Sequence, residues 1–139
     1  MFKMKPLLLI EDDEVDAMTV KRSLEENGVV DRVIHMPNGE DALAYLHSEV
    51  NEQPSLILLD LNMPKMNGIE FLQEAKKHPA IRRIPVVVLT TSDEGRDILG
   101  TFSHSVAGYM VKPIQYPEFV KTIEAISNYW TLSLLPASL

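Results

Sequence analysis

Five short apolar runs recur along the chain, separated by polar, charge-rich segments: "PLLLI" (6–10), "VVDRVIHM" (29–36), "SLILLD" (55–60), "IPVVVLT" (84–90) and "VAGYMV" (106–111). Three of the five are nearly unbroken in aliphatic residues. That is the pattern of parallel strands covered on both faces, not the alternation of a half-solvated sheet. The segments between them carry helical spacing. "EVDAMTVKRSLEENG" puts Val15, Met18 or Thr19, Arg22 and Glu26 on one row, with Val20 and Leu24 adding apolar contacts and Gly28 where the helix ends. "NGEDALAYLHSEV" opens on Asn38, a good cap, and carries Leu43, Leu46 and Val50. "GIEFLQEAKKH" ends in basic residues before Pro79, and "SDEGRDILGTF" takes Ser92 or Asp93 as its cap. In "YPEFVKTIEAISNYW" the spacings from Phe119 to Ile123, Ile126 and Trp130 are four, three and four, one face of a helix.

Strand and helix alternate five times, which predicts an α/β three-layer sandwich around a parallel sheet. A length of 139 residues fits one domain. "SEVNEQP" (48–54) is the most loop-like internal stretch, and "TLSLLPASL" after Trp130 reads as a tail.

In an open parallel sheet the reactive crevice lies beyond the carboxyl ends of the strands. Strand one runs into "EDDE" (Glu11 to Glu14), strand three into Asp60, strand four into "TTS" (Thr90 to Ser92), and strand five into Lys112 and Pro113. Asp13 and Glu14 are explained by a helix N-terminus that favours acids. Glu11, Asp12 and Asp60 are less easily dismissed, because like charges gathered there raise one another's pKa unless a cation is present. A few hard oxygen ligands suit Mg²⁺. An acyl phosphate on Asp60 would call for a cation across its oxygens, a lysine as point charge and a hydroxyl donor; Lys112 and Thr90 are the candidates. Taken singly, Lys112 reads equally well as a surface lysine and Thr90 as a plain strand residue.

With "LLLIEDDE", "LILLDLNMPKMNG", "VVVLTTS" and "GYMVKP" in this order, the chain resembles receiver domains of two-component response regulators from about Lys5 to Trp130. The resemblance implies a flavodoxin-like receiver fold, a five-stranded parallel sheet ordered 2-1-3-4-5 with helices on both faces. It implies a receiver domain over residues 1–131 and an apolar tail over 132–139. Asp60 would be the phosphoacceptor for a sensor histidine kinase, with Mg²⁺ held by Glu11, Asp12, Asp60 and the backbone carbonyl of Asn62. Lys112 would contact the phosphoryl oxygens, positioned by a cis bond to Pro113. Thr90 and Tyr109 would form the switch, biasing the surface made by the helix after strand four, strand five and the last helix. Pro64 and Gly68 would shape the loop after the acceptor. Such a protein is a phosphoryl acceptor with self-dephosphorylation and not a turnover enzyme, and its output passes to a downstream protein. "IEAISNYWTLSLLP" further resembles single-domain regulators that partner phytochrome-type kinases. On that resemblance Tyr129, Trp130, Leu132 and Leu134 form a homodimer contact; equally, Trp130 tucks against its own sheet.

Composition narrows the partners. A net charge of -7 with scattered Lys and Arg argues against nucleic acid. The first apolar run stops at Ile10, too short for a signal core or a span, and the absence of cysteine fits a reducing compartment, so a cytoplasmic protein without a membrane is expected. His35, His47, His78 and His104 share no ligand spacing. The methionines read as core filler or surface, although Met63 and Met66 flank the loop after Asp60 where a kinase would approach. A haloacid-dehalogenase-like hydrolase would need an acid where Asn62 stands. A nucleotide- or flavin-binding or interaction module without phosphoryl transfer is the other alternative, but a phosphate cradle needs glycines and bare amides where this chain has "EDDEVD".

Overall fold

The computed structural model describes residues 5–26 and 32–136. The expected helix end at Gly28, the first residues of the second apolar run and the last three residues of the tail lie outside them. The element order is β1 (Leu7–Ile10), α1 (Glu14–Glu26), β2 (Val33–Met36), α2 (Gly39–His47), β3 (Leu56–Leu59), α3 (Gly68–Ala75), α4 (Pro79–Arg82), β4 (Val86–Thr90), α5 (Gly95–Phe102), β5 (Gly108–Val111) and α6 (Tyr116–Leu132). The strands form one sheet in the order β2-β1-β3-β4-β5, every neighbouring pair parallel; the aliphatic runs predict the parallel sheet and the receiver resemblance its order.

Successive strand residues point to opposite faces, and both faces are apolar. Leu8, Ile10, Ile57, Leu59, Val86 and Val88 meet Leu46 of α2 and Phe71 and Leu72 of α3 on one side. Leu7, Leu9, Leu56, Leu58, Val87 and Leu89 meet α1 and α6 on the other. The last helix buries Phe119, Ile123 and Ile126 as its spacing requires, and Trp130 packs half-buried against the same core. The first helix differs from its predicted row. Ala17, Val20 and Leu24 face the sheet, whereas Val15 and Met18 are 71% and 59% exposed. Small Ala17 lets the helix lie close, and the row at i, i+3 and i+7 excludes the larger pair from the core.

Local departures have similar causes. Asn38 caps α2 by accepting from the main-chain N–H of Asp41. Neither Ser92 nor Asp93 caps α5, which starts at Gly95 after Glu94; the Ser92 hydroxyl instead donates to Asp97. Pro79 starts the short α4 instead of only ending α3, as proline is suited to a first helical turn. Val50 lies beyond the end of α2 and is exposed.

The loop from Asp60 to α3 is tightly closed. The Gly68 N–H donates to the Leu61 carbonyl at 3.0 Å. A Cβ on Gly68 would stand 2.7 Å from the Asp60 carbonyl oxygen and 2.8 Å from Leu61 Cα, so the loop requires glycine for close backbone approach. Asn67 and Glu70 then complete a capping box at the start of α3. Gly68→Ala is expected to lower the free energy of unfolding by about 1–3 kcal/mol, the usual cost of overpacking. Urea unfolding checks this; wild-type stability would remove the close-approach requirement.

Candidate functional site

The sheet ladder continues one residue past each strand that lines the crevice. Glu11 N–H donates to Met36 carbonyl at 3.0 Å, Asp60 N–H to Ile10 carbonyl at 3.0 Å, and Lys112 N–H to Thr90 carbonyl at 2.7 Å. Three charged residues are thereby fixed by main-chain bonds at the carboxyl edge of the sheet. Glu11, Asp12 and Asp60 each offer a carboxylate oxygen, and these oxygens lie within 4.8 Å of one another. Glu11 and Asp60 are buried, whereas Asp12 opens to solvent.

Lys112 lies among them. Its side chain is only 6% exposed, and Nζ lies 2.5 Å from Glu11 Oε1, 2.9 Å from Asp16 Oδ2 and 3.9 Å from Asp60 Oδ2. The ammonium therefore pairs closely with Glu11 and Asp16 and stands off from Asp60. Asp60 Oδ1 accepts from the Leu61 N–H at 2.8 Å, which orients the carboxylate. No peptide bond among the described residues is cis, so the Lys112–Pro113 bond is trans, contrary to expectation. Trans is the lower-energy form of the bond before proline, and in this geometry Lys112 already reaches the crevice.

The charge balance explains the titration behaviour. Burial, followed by the Asp60 charge, pushes the Glu11 carboxyl up to about 8, against the pull of Lys112. Burial disfavours the Lys112 ammonium, but the Glu11 and Asp16 carboxylates outweigh it and hold the group above its ordinary value. One buried ammonium thus does not fully neutralise the acids around it.

Thr90 is fully buried at the end of β4, and its hydroxyl oxygen accepts weakly from the Ser92 N–H at 3.5 Å. Tyr109, paired in register with Val88, is half-buried on the same side of the sheet; its hydroxyl donates to the Ser92 carbonyl at 2.8 Å. Burial raises its phenol pKa, the Ser92 bond notwithstanding. Thr90 and Tyr109 therefore hold the same loop from two strands. Asn62 is exposed two residues past Asp60. Met63 belongs to the buried core, so of the two loop methionines only half-buried Met66 keeps exposed surface.

Asp16 is the participant that sequence reasoning missed. It sits in the first turn of α1, where an acid is ordinary, and its partner is 96 residues away. His35 donates from Nε2 to the Glu11 main-chain carbonyl at 2.6 Å, a structural contact behind the acids. His47 and His78 form an edge-to-face ring pair away from the strand ends, and His104 follows α5.

Comparison with known proteins gives a consistent picture. The sequence model of the response regulator receiver domain matches residues 7–124. The response regulator Rcp1 of Synechocystis is 36% identical over 139 residues, covering 96% of this chain and 95% of its own. The crystal structure of the Mn²⁺-bound form of Rcp1 superposes with a TM-score of 0.89 over 95% of this chain and 99% of that one, at 36% identity. The phosphorylated cyanobacterial phytochrome response regulator RcpA is 34% identical, with a TM-score of 0.90 over 97% of this chain and 99% of its own.

The raised Glu11 pKa carries a signed consequence. Between about 4.5 and about 8 the folded chain holds a proton on Glu11 that the unfolded chain releases. Stability of the metal-free protein is therefore expected to fall as pH rises through that window. Urea unfolding at successive pH values should show this decline, and Glu11→Gln should flatten it. An unchanged slope in the variant would assign the dependence to other groups.

Proposed function

The chain belongs to the response regulator receiver domain family, and on that premise we propose that Asp60 accepts a phosphoryl group from the phosphohistidine of a sensor kinase. The observation that carries this reading is the carboxylate cluster of Glu11, Asp12 and Asp60 with Lys112 Nζ beside it. In the transfer, the Asp60 carboxylate attacks phosphorus, the P–N bond to the imidazole breaks, and its electron pair stays on the ring nitrogen. Asp60 is suited to this because Leu61 orients Oδ1 while Lys112 remains 3.9 Å from Oδ2.

The donor set fits Mg²⁺: hard oxygen donors, three of them carboxylates gathered closely, with exposed Asp12 giving access to hydrated ions. Glu11, Asp12, Asp60 and the Asn62 carbonyl are the residues we assign to hold it. That a relative, Rcp1, has a Mn²⁺-bound form supports assigning a divalent ion to this chain. When bound, Mg²⁺ supplies positive charge that offsets the carboxylates and the incoming phosphoryl oxygens. Lys112 contributes a point charge to those oxygens and Thr90 a hydroxyl donor. Exposed Asn62 is the residue we assign beside the path of hydrolytic water, on which reading the chain is a self-dephosphorylating acceptor and not a turnover enzyme.

The phosphoryl group adds about two negative charges. Thr90 turns to it, the Ser92 loop follows, and Tyr109 moves inward. The surface this changes includes α5 and β5, where Leu99, Phe102, Met110 and Val111 are exposed and offer apolar contact to a downstream protein. The kinase approaches from the acceptor side. Val15, Ile114 and Tyr116 rim a cleft of about 250 Å³ beside Lys112, and exposed Met18 extends the apolar rim along α1.

The phytochrome response regulator RcpA favours a phytochrome-type kinase as donor. We place the receiver unit at 1–131 and the tail at 132–139. Trp130 packs on its own core, so a homodimer contact would use exposed Tyr129, Leu132 and Leu134. No helix among the described residues is long and apolar enough to cross a membrane, and the cytoplasm, where kinase and Mg²⁺ meet, is the compartment assigned.

Intact mass after incubation with acetyl phosphate tests the acceptor. Wild type with Mg²⁺ should gain one phosphate; Asp60→Asn, or wild type in excess EDTA, should gain none. Labelling of Asp60→Asn at the wild-type level would remove the assignment. Lys112→Ala should still accept phosphate but leave the Tyr109 environment unchanged on phosphorylation, read by NMR; a wild-type shift would deny Lys112 its switching role. For the dimer, Leu132→Glu with Leu134→Glu should turn a dimeric species in sedimentation into monomer. A wild type that is monomeric with and without phosphate would exclude that contact.

A further inference from the structure

We infer that Asp16 is a positioning residue that parks the Lys112 ammonium on α1 and competes for it with the phosphoryl group. The inference rests on Asp60 being the acceptor. Lys112 Nζ donates to Asp16 Oδ2 at 2.9 Å but stands 3.9 Å from Asp60 Oδ2, so in the unmodified chain it is held on the helix side of the crevice.

Three features make this a placement and not an incidental surface pair. The lysine is buried, so its alternatives are limited to the acids around it. Asp16 is itself fixed, because its N–H donates to Asp13 Oδ1 at 3.0 Å and its side chain is only 27% exposed. The other close partner, Glu11, belongs to the carboxylate cluster assigned to the cation, whereas Asp16 lies outside it. Once a cation and a phosphoryl group occupy the crevice, Asp16 is the one acid near Lys112 with no new partner of its own. A movement of Nζ from α1 toward the phosphoryl oxygens therefore stretches the Asp16 bond.

Beryllofluoride with Mg²⁺ is a non-covalent phosphoryl mimic, and its affinity, followed by ¹⁹F NMR or calorimetry, reads this competition. Asp16→Asn keeps the shape and removes the charge; it should bind beryllofluoride about fivefold more tightly, the scale of a charge-assisted hydrogen bond discounted for partial exposure. Asp16→Ala should move in the same direction. Structural damage at α1 would weaken binding, so tightening is not its signature. Asp13→Asn removes the same charge from the same turn without touching Lys112, and should leave the affinity near wild type. Unchanged or weaker binding in Asp16→Asn overturns the inference, as does an equal gain in Asp13→Asn, which would trace the effect to the general field. If wild type itself fails to bind beryllofluoride with Mg²⁺, the phosphoacceptor reading falls instead.

Discussion

A parallel sheet delivers the ends of its strands to one edge, and here that edge collects buried acids that repel one another. Lys112 is what makes the collection tolerable. Its ammonium lies 2.5 Å from Glu11 and 2.9 Å from Asp16, yet the balance is incomplete, since Glu11 is still pushed up to about 8 by burial and by Asp60. Breaking a buried ion pair typically costs about 3–5 kcal/mol, because the remaining charge is left uncompensated. The arrangement is thus stable enough to fold but electrostatically short of positive charge, and a divalent cation is the species that corrects such a deficit. The shortage of positive charge that makes the site costly is the one a bound cation would relieve.

The rest of the fold serves to keep that edge rigid. Apolar layers on both faces fix the strands, and the main-chain ladder extends to Glu11, Asp60 and Lys112 themselves. The loop beyond Asp60 is pinned at Gly68, where backbone passes against backbone. The β4–α5 connection is held by side chains instead, Ser92 donating its N–H to the Thr90 hydroxyl and accepting at its carbonyl from Tyr109.

The parallel sheet was legible because the aliphatic runs read as buried strands, its order came from the receiver resemblance, and the acids at the strand ends stood out against that background. What failed was decided by tertiary contact. Val15 and Met18 look like a core row, but Ala17, Val20 and Leu24 pack and leave them in water. Asp16 looked like a first-turn acid because nothing local distinguishes it; its role comes from a lysine 96 residues away. The helix starts too late for Ser92 to cap it: α5 begins at Gly95, and Ser92 donates to Asp97 while its oxygen accepts only from the Glu94 N–H, before the helix. Trp130 satisfied its periodicity and packed on its own core, so of the four residues expected at a dimer contact one is structural and three, Tyr129, Leu132 and Leu134, are exposed. Periodicity identifies faces, whereas long-range charge pairs and the choice between equivalent faces require the assembled core.

The central claim is that Asp60, and no other acid of the crevice, carries the phosphoryl group. The direct measurement is the position of the acyl phosphate: borohydride reduction of the phosphorylated protein converts the modified aspartate to homoserine, and peptide sequencing by mass spectrometry locates it. Homoserine at position 60 alone is the predicted result. Homoserine at Asp12 or Asp16, with residue 60 unchanged, would contradict the account.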